Sequence, residues 1–112
     1  MTVIAKTLFE ALQAQNTETT QYTAPSGTRT IIDKFTGTNT TGSSATLTIK
    51  LVASGGGASA ANTIVSAKTL QPNETYTFPE VVGHVLNPSD FISTLAGTAA
   101  AITIRASGRE VS

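Results

Sequence analysis

The chain has no cysteine, no tryptophan, one histidine and few aromatic side chains, four phenylalanines and two tyrosines in 112 residues. Without cysteine there is no disulfide framework and no thiolate metal site, and the redox compartment stays undefined. Charge is scarce too: 12% of residues are charged, against roughly 25% in ordinary globular domains. Seven basic residues balance seven acidic ones, so no basic stripe exists to neutralise phosphates, and nucleic acid is not an expected partner. No segment approaches the run of about 18 apolar residues that a membrane helix needs, and no membrane partner is expected. The opening residues, Met1-Thr2-Val3-Ile4-Ala5-Lys6, lack a basic stretch followed by an apolar one, so the protein is read as soluble where it is made.

What the chain has instead is threonine, at 21 of 112 positions, often alternating with apolar residues as in Thr46-Leu47-Thr48-Ile49-Lys50-Leu51. Threonine is β-branched and stiff, so it fits a pleated strand, presenting its hydroxyl on one side while the intervening apolar residues face the other. This pattern means antiparallel sheet with one wet face. The length is that of one domain, and an apolar fraction of 39% gives it a thin core.

Residues 5–15 differ from the rest. Thr7-Leu8-Phe9-Glu10 has the form of a capping box, and Leu8, Phe9 and Leu12 fall on one side at helical spacing. A short helix or docking arm over residues 1–18 is therefore expected ahead of a β body over residues 19–112. At roughly ten residues such a helix is marginal alone and must pack on the body or on a neighbour.

The body reads as strands cut by turns. Gln21–Ala24 ends at Pro25-Ser26-Gly27, and Thr28–Thr38 is a long strand. With Ile31 and Phe35 inward, Asp33 falls on the same side, which favours a bulge or kink. The polar turn Asn39–Ser44 then predicts a hairpin to Ala45–Ala53, where Leu47, Ile49 and Leu51 face inward. Ser54–Ala60, with three consecutive glycines, reads as a flexible hairpin tip. Strand character returns at Asn62–Leu70, Thr75–Phe78, Phe91–Leu95 and Ala99–Ala106, with Val81-Val82 and Val85-Leu86 flanking Gly83-His84. Seven or eight short strands with regular turns predict an all-β fold, an antiparallel two-sheet β-sandwich of jelly-roll type.

Reactive chemistry is thin. His84 has no identifiable nucleophile or orienting carboxylate and is read as a turn or contact histidine. Asp33, Glu74, Glu80 and Asp90 are isolated carboxylates, assigned to turns and rims rather than to a glycosidase pair. Gly55-Gly56-Gly57 lacks the Gly-Lys-Ser/Thr that completes a phosphate loop. Asn39-Thr40-Thr41 and Asn73-Glu74-Thr75 match the glycosylation sequon, as chance matches in a chain rich in Thr and Asn. No catalytic residue, cofactor, metal or small-molecule substrate is expected.

A resemblance adds to this reading. The order Tyr22-Thr23-Ala24-Pro25-Ser26-Gly27-Thr28, Ile31-Ile32, Asn39-Thr40-Thr41-Gly42, Leu70-Gln71-Pro72-Asn73-Glu74-Thr75 and Val85-Leu86-Asn87-Pro88-Ser89-Asp90-Phe91-Ile92 resembles small structural proteins of tailed bacteriophage virions. The likeness covers about residues 20–108 and is carried by turn residues. It implies an oligomeric, non-enzymatic virion protein assembled in the host cytoplasm and does not select among capsid decoration (cement) proteins and neck, tail or fibre components. A small sandwich of few charges that packs through Thr, Ser and Ala surfaces favours decoration, with a neck, tail or fibre connector as the alternative. The implied partners are further copies of itself, as a homotrimer, and the major capsid protein or other virion proteins. Leu8, Phe9 and Leu12 are the candidate partner-binding residues. A carbohydrate- or receptor-binding module using the Gly55–Ala60 loop and Tyr76 is a further alternative.

Overall fold

The structure, a computed structural model, describes all 112 residues. Nine strands follow in order: β1 (Val3–Gln13), β2 (Thr19–Thr23), β3 (Arg29–Asn39), β4 (Ala45–Val52), β5 (Thr63–Leu70), β6 (Thr75–Tyr76), β7 (Val85–Leu86), β8 (Phe91–Ala96) and β9 (Ile102–Val111), with one 3₁₀ turn at Ala60–Asn62. One sheet has the order β1-β9-β3-β6, with β7 also on β3, and the other has the order β2-β8-β4-β5. Every pairing is antiparallel.

Four sets of pairs, β1 with β9, β2 with β8, β3 with β6 and β7, and β4 with β5, are the arms of one long hairpin. Partners lie at nearly equal distances along the chain from Gly57, from Ala45 with Leu70 to Val3 with Val111. Rolling this ribbon up brings β9 against β3 and β8 against β4, which is the jelly-roll arrangement expected from the strand pattern. The glycine-rich segment is the ribbon's tip. The apparent strand count rises to nine because the arm opposite β3 is split into β6 and β7 by the segment that carries Phe78 and His84.

Alternation sets the two faces. On β4, Ala45, Leu47 and Ile49 are buried between half-exposed Thr46, Thr48 and Lys50; on β9, Ile102, Ile104, Ala106 and Gly108 alternate with Thr103, Arg105, Ser107 and Arg109. Leu51 packs against the core from a half-buried position. Val52 is buried outside that core, where it pairs with Phe91 and lies against the tip loop at Gly56.

The expected bulge in β3 is present. The register shifts between Ile32 and Lys34, leaving Asp33 as the extra residue, so Ile32 rather than Ile31 shares the core with Phe35. The bulge presses the chain against β9 at Gly108, where an added Cβ would lie 2.1 Å from the Ile31 carbonyl oxygen. Only glycine fits there.

Two expectations are corrected. Residues 1–18 form no helix and no separate arm, because Val3–Gln13 is the edge strand β1, laddered on β9. Register shifts between Thr7 and Phe9 and between Phe9 and Leu12 set Phe9 opposite Ala106 and Leu12 opposite Ile104. Each bulge inserts a residue that resets the alternation, so a twice-bulged strand imitates the three-to-four residue spacing of a helix. The ladder with β9 outweighs a marginal helix.

The second correction concerns β3 and β4, which lie in opposite sheets and are not a hairpin. Buried Asn39 decides this. Its Nδ2 donates to the carbonyls of Ser43 (2.7 Å) and Leu70 (3.1 Å), while Oδ1 accepts from the Thr41 amide (2.9 Å) and hydroxyl (2.8 Å). The side chain thus folds the turn over and ties it to the end of β5 in the other sheet.

Between the sheets, Phe9, Phe35, Phe78 and Tyr76 form an edge-to-face series with centroid separations of 5.7, 5.4 and 4.8 Å. Gly37 makes room for it, since a Cβ there would sit 2.9 Å from the Phe78 ring. No buried side-chain nitrogen or oxygen lacks a hydrogen-bond partner, and no helix is long and apolar enough to cross a membrane.

Candidate interaction surface

The three residues singled out as partner anchors face the sandwich itself. Leu8 and Phe9 are each only 7% exposed and belong to the core, with Leu12 packed against it. Their apolar surface holds β1 to the body. The exposed apolar side chains of β1 are instead at its start, where Val3 and Ile4 are 50% and 54% exposed. The helix-like spacing of Leu8, Phe9 and Leu12 masks these two in the sequence. The adjacent β-branched pair ahead of any turn residue was the available signal.

The remaining candidates are dispersed. His84 lies in the turn after Val81, with its backbone amide on the Val81 carbonyl (3.3 Å) and its carbonyl accepting from Ile32 (3.0 Å). Each carboxylate has its own local partner. Asp33 accepts two bonds from the Arg109 guanidinium (2.9 and 3.0 Å), which raises the Arg109 pKa. Glu74 caps the Gln71 amide (2.7 Å), and Asp90 caps the amides of Asn87 and Ser54 (both 2.9 Å). Glu80 accepts from the Tyr76 hydroxyl (2.7 Å), a bond that lowers the Glu80 pKa and raises that of Tyr76. Glu74, Glu80 and Asp90 thus sit in or beside turns, and Asp33 on the β3 bulge. Of the two sequon asparagines, Asn39 is buried with its amide nitrogen committed to two carbonyls, so no glycan can attach to it in the folded chain.

Two polar clusters organise charge. At the end of the sandwich near both chain termini, the Tyr22 hydroxyl lies 2.7 Å from the Thr30 hydroxyl and donates to Glu110, and Lys6 lies 3.6 Å from the same carboxylate. Burial, then the bond to Glu110, pushes the Tyr22 pKa up to about 12. On the outer face of the second sheet, Glu18 accepts from Lys50 and from Ser93. Burial works against the Glu18 carboxylate, but these donors outweigh it and lower its pKa.

No group of three or more His, Cys, Asp or Glu residues is placed to hold a metal ion. A surface depression is lined by Met1, Gly27, Arg29, Pro88, Val111 and Ser112, a lining that includes neither His84 nor any of the four carboxylates discussed above. The outer face of the first sheet carries Thr36, Thr38, Thr103, Arg105 and Ser107, with Thr38 and Thr75 joined through their hydroxyls (2.8 Å). Chemically, this face presents hydroxyls beside the basic side chains of Lys34 and Arg105. No protein family, curated protein or solved structure matches the chain.

Proposed function

We propose that the chain is a non-enzymatic structural protein of a tailed-bacteriophage virion, a capsid decoration protein that self-associates and clamps neighbouring shell subunits. The observation that carries this reading is a jelly roll whose strands set hydroxyl side chains between core residues, in a chain with only 12% charged residues, six of which form the pairs Lys6–Glu110, Lys50–Glu18 and Arg109–Asp33. Burying threonine and serine against a neighbour costs less desolvation than burying lysine or glutamate. Copies set around a threefold axis multiply each modest contact by simultaneous attachment, so a homotrimer on the major capsid protein holds persistently.

A sugar-binding role draws less support. The Tyr76 ring has the Lys68 ammonium 4.6 Å from its centroid, and its hydroxyl is bound to Glu80, so the aromatic platform that role needs is already engaged. The test is antibody labelling of tailed-phage particles that contain the protein, together with its copy number per particle. Regular label over the head faces at a copy number that matches the shell supports decoration. Label confined to the neck or tail moves the reading to a connector, and absence from purified particles removes it.

A further inference from the structure

We infer that the Val3–Thr7 run of β1 is a self-pairing edge: two copies join antiparallel about Ala5, making one continuous sheet across a two-fold axis. The inference is independent of where on a particle the protein sits.

β1 is the outermost strand of its sheet, with β9 on one side and nothing on the other. Thr2 and Ser112 exchange both backbone bonds at 2.9 Å, and this fixes the phase of the ladder. Because reciprocal pairs alternate along an antiparallel ladder, Ile4 and Lys6 also turn their amides and carbonyls towards β9. Val3, Ala5 and Thr7 therefore aim theirs at the open edge. The register stays regular over this run and shifts only after Thr7, so these groups repeat at the spacing another strand requires. An open edge of this kind with apolar residues on it is a template for strand addition.

A second copy satisfies the template better than a foreign strand would have to by chance. Placing Ala5 opposite its own copy sets Val3 against Thr7 in both directions, and every free N–H and C=O of the run finds a partner. The smallest side chain then sits on the axis. Ile4 falls beside Lys6 of the copy on the same face, where the lysine stem covers the exposed isoleucine. No like charges oppose one another, because Lys6 is the only ionisable side chain in the run and lies 3.6 Å from Glu110 of its own chain. The net charge of zero leaves no long-range repulsion between copies. One strand pair buries less than the roughly 1,200 Å² typical of stable complexes, so association rises with concentration.

The absence of cysteine makes the test clean. In a reciprocal antiparallel pair the Cα atoms lie about 5.5 Å apart, within disulfide reach. Ala5→Cys is expected to give a disulfide-linked pair of chains under mild oxidation, and Val3→Cys, also exposed but offset from its own copy, is expected to give little. Ala5→Pro removes a donor that no intrachain bond uses, so it is expected to keep the wild-type melt while halving the mass that wild type reaches by light scattering at rising concentration. A wild-type chain that stays at 11.5 kDa up to its solubility limit overturns the inference. So does an Ala5→Pro protein that associates as wild type does, or cysteine variants at positions 3 and 5 that cross-link equally.

Discussion

The space between the sheets is filled in two different ways. Around Phe35 it is closed by aromatic rings in edge-to-face contact with Ile102 and Ile104 buried nearby. Near the chain termini the inward positions of β2, β3, β9 and β1 are Tyr22, Thr30, Glu110 and Lys6, joined by hydrogen bonds and an ion pair. The aromatic region draws its stability from apolar area and tight packing, which are insensitive to pH. The polar region contributes less, because its bonds replace bonds to water, but it responds to pH and leaves Ile4 uncovered. The contrast separates an apolar, pH-insensitive region from a polar one that responds to pH and leaves apolar surface exposed.

Four substitutions sharpen this division. Phe35→Ala is expected to have the largest effect, about 3–5 kcal/mol by denaturant unfolding, since it leaves a cavity between two rings. A loss below about 1 kcal/mol would mean that the region is loosely packed. Asn39→Ala, at the same end, removes the acceptor of the Thr41 amide and the donor shared by the Ser43 and Leu70 carbonyls, and is expected to cost about 2–3 kcal/mol; an unchanged melt would show that the arch holds without its side chain.

At the polar end, Tyr22→Phe is expected to cost about 1 kcal/mol at neutral pH, with a distinctive pH profile. The folded-state Tyr22 pKa, about 12, exceeds the ordinary 10.0, so the folded chain holds its proton more tightly than the unfolded one. That contribution is complete below about pH 10 and is lost as the pH rises through 12. Wild-type stability should fall across this window more steeply than that of the Phe variant, and parallel curves would break the assignment. The smallest effect is expected for Lys6→Met, under about 1 kcal/mol, because the pair with Glu110 is half-exposed. Its melt in high salt should match that of wild type.

Much of the fold was legible in particular residues. Thr46-Leu47-Thr48-Ile49 named β4 and its inner face, and the awkward phase of Asp33 named the bulge in β3. The turns at Pro25–Gly27, Gln71–Glu74 and Asn87–Asp90 fell where expected. The end of β1 was not legible, since bulges at Leu8 and before Leu12 copy helical spacing, and a bulge has meaning only against a partner strand. The partner of Asn39 was hidden as well. An Asn-Thr-Thr-Gly turn reads as a local hairpin until Leu70, thirty-one positions away, supplies an acceptor in the opposite sheet. The candidate site residues Leu8, Phe9 and Leu12 lie in or against the core, which their spacing alone did not reveal.

Sidedness, turn positions and the scarcity of reactive groups were determined by the chain alone, because alternation, backbone preference and composition are local properties. Which strands meet, whether residues 3–13 wind or extend, and which amides remain free at an edge were decided only in three dimensions. Those outcomes depend on partners equidistant from Gly57 yet as far apart as Val3 and Val111, whose contact forms only when the whole ribbon rolls up and repays the entropy of closing so long a loop.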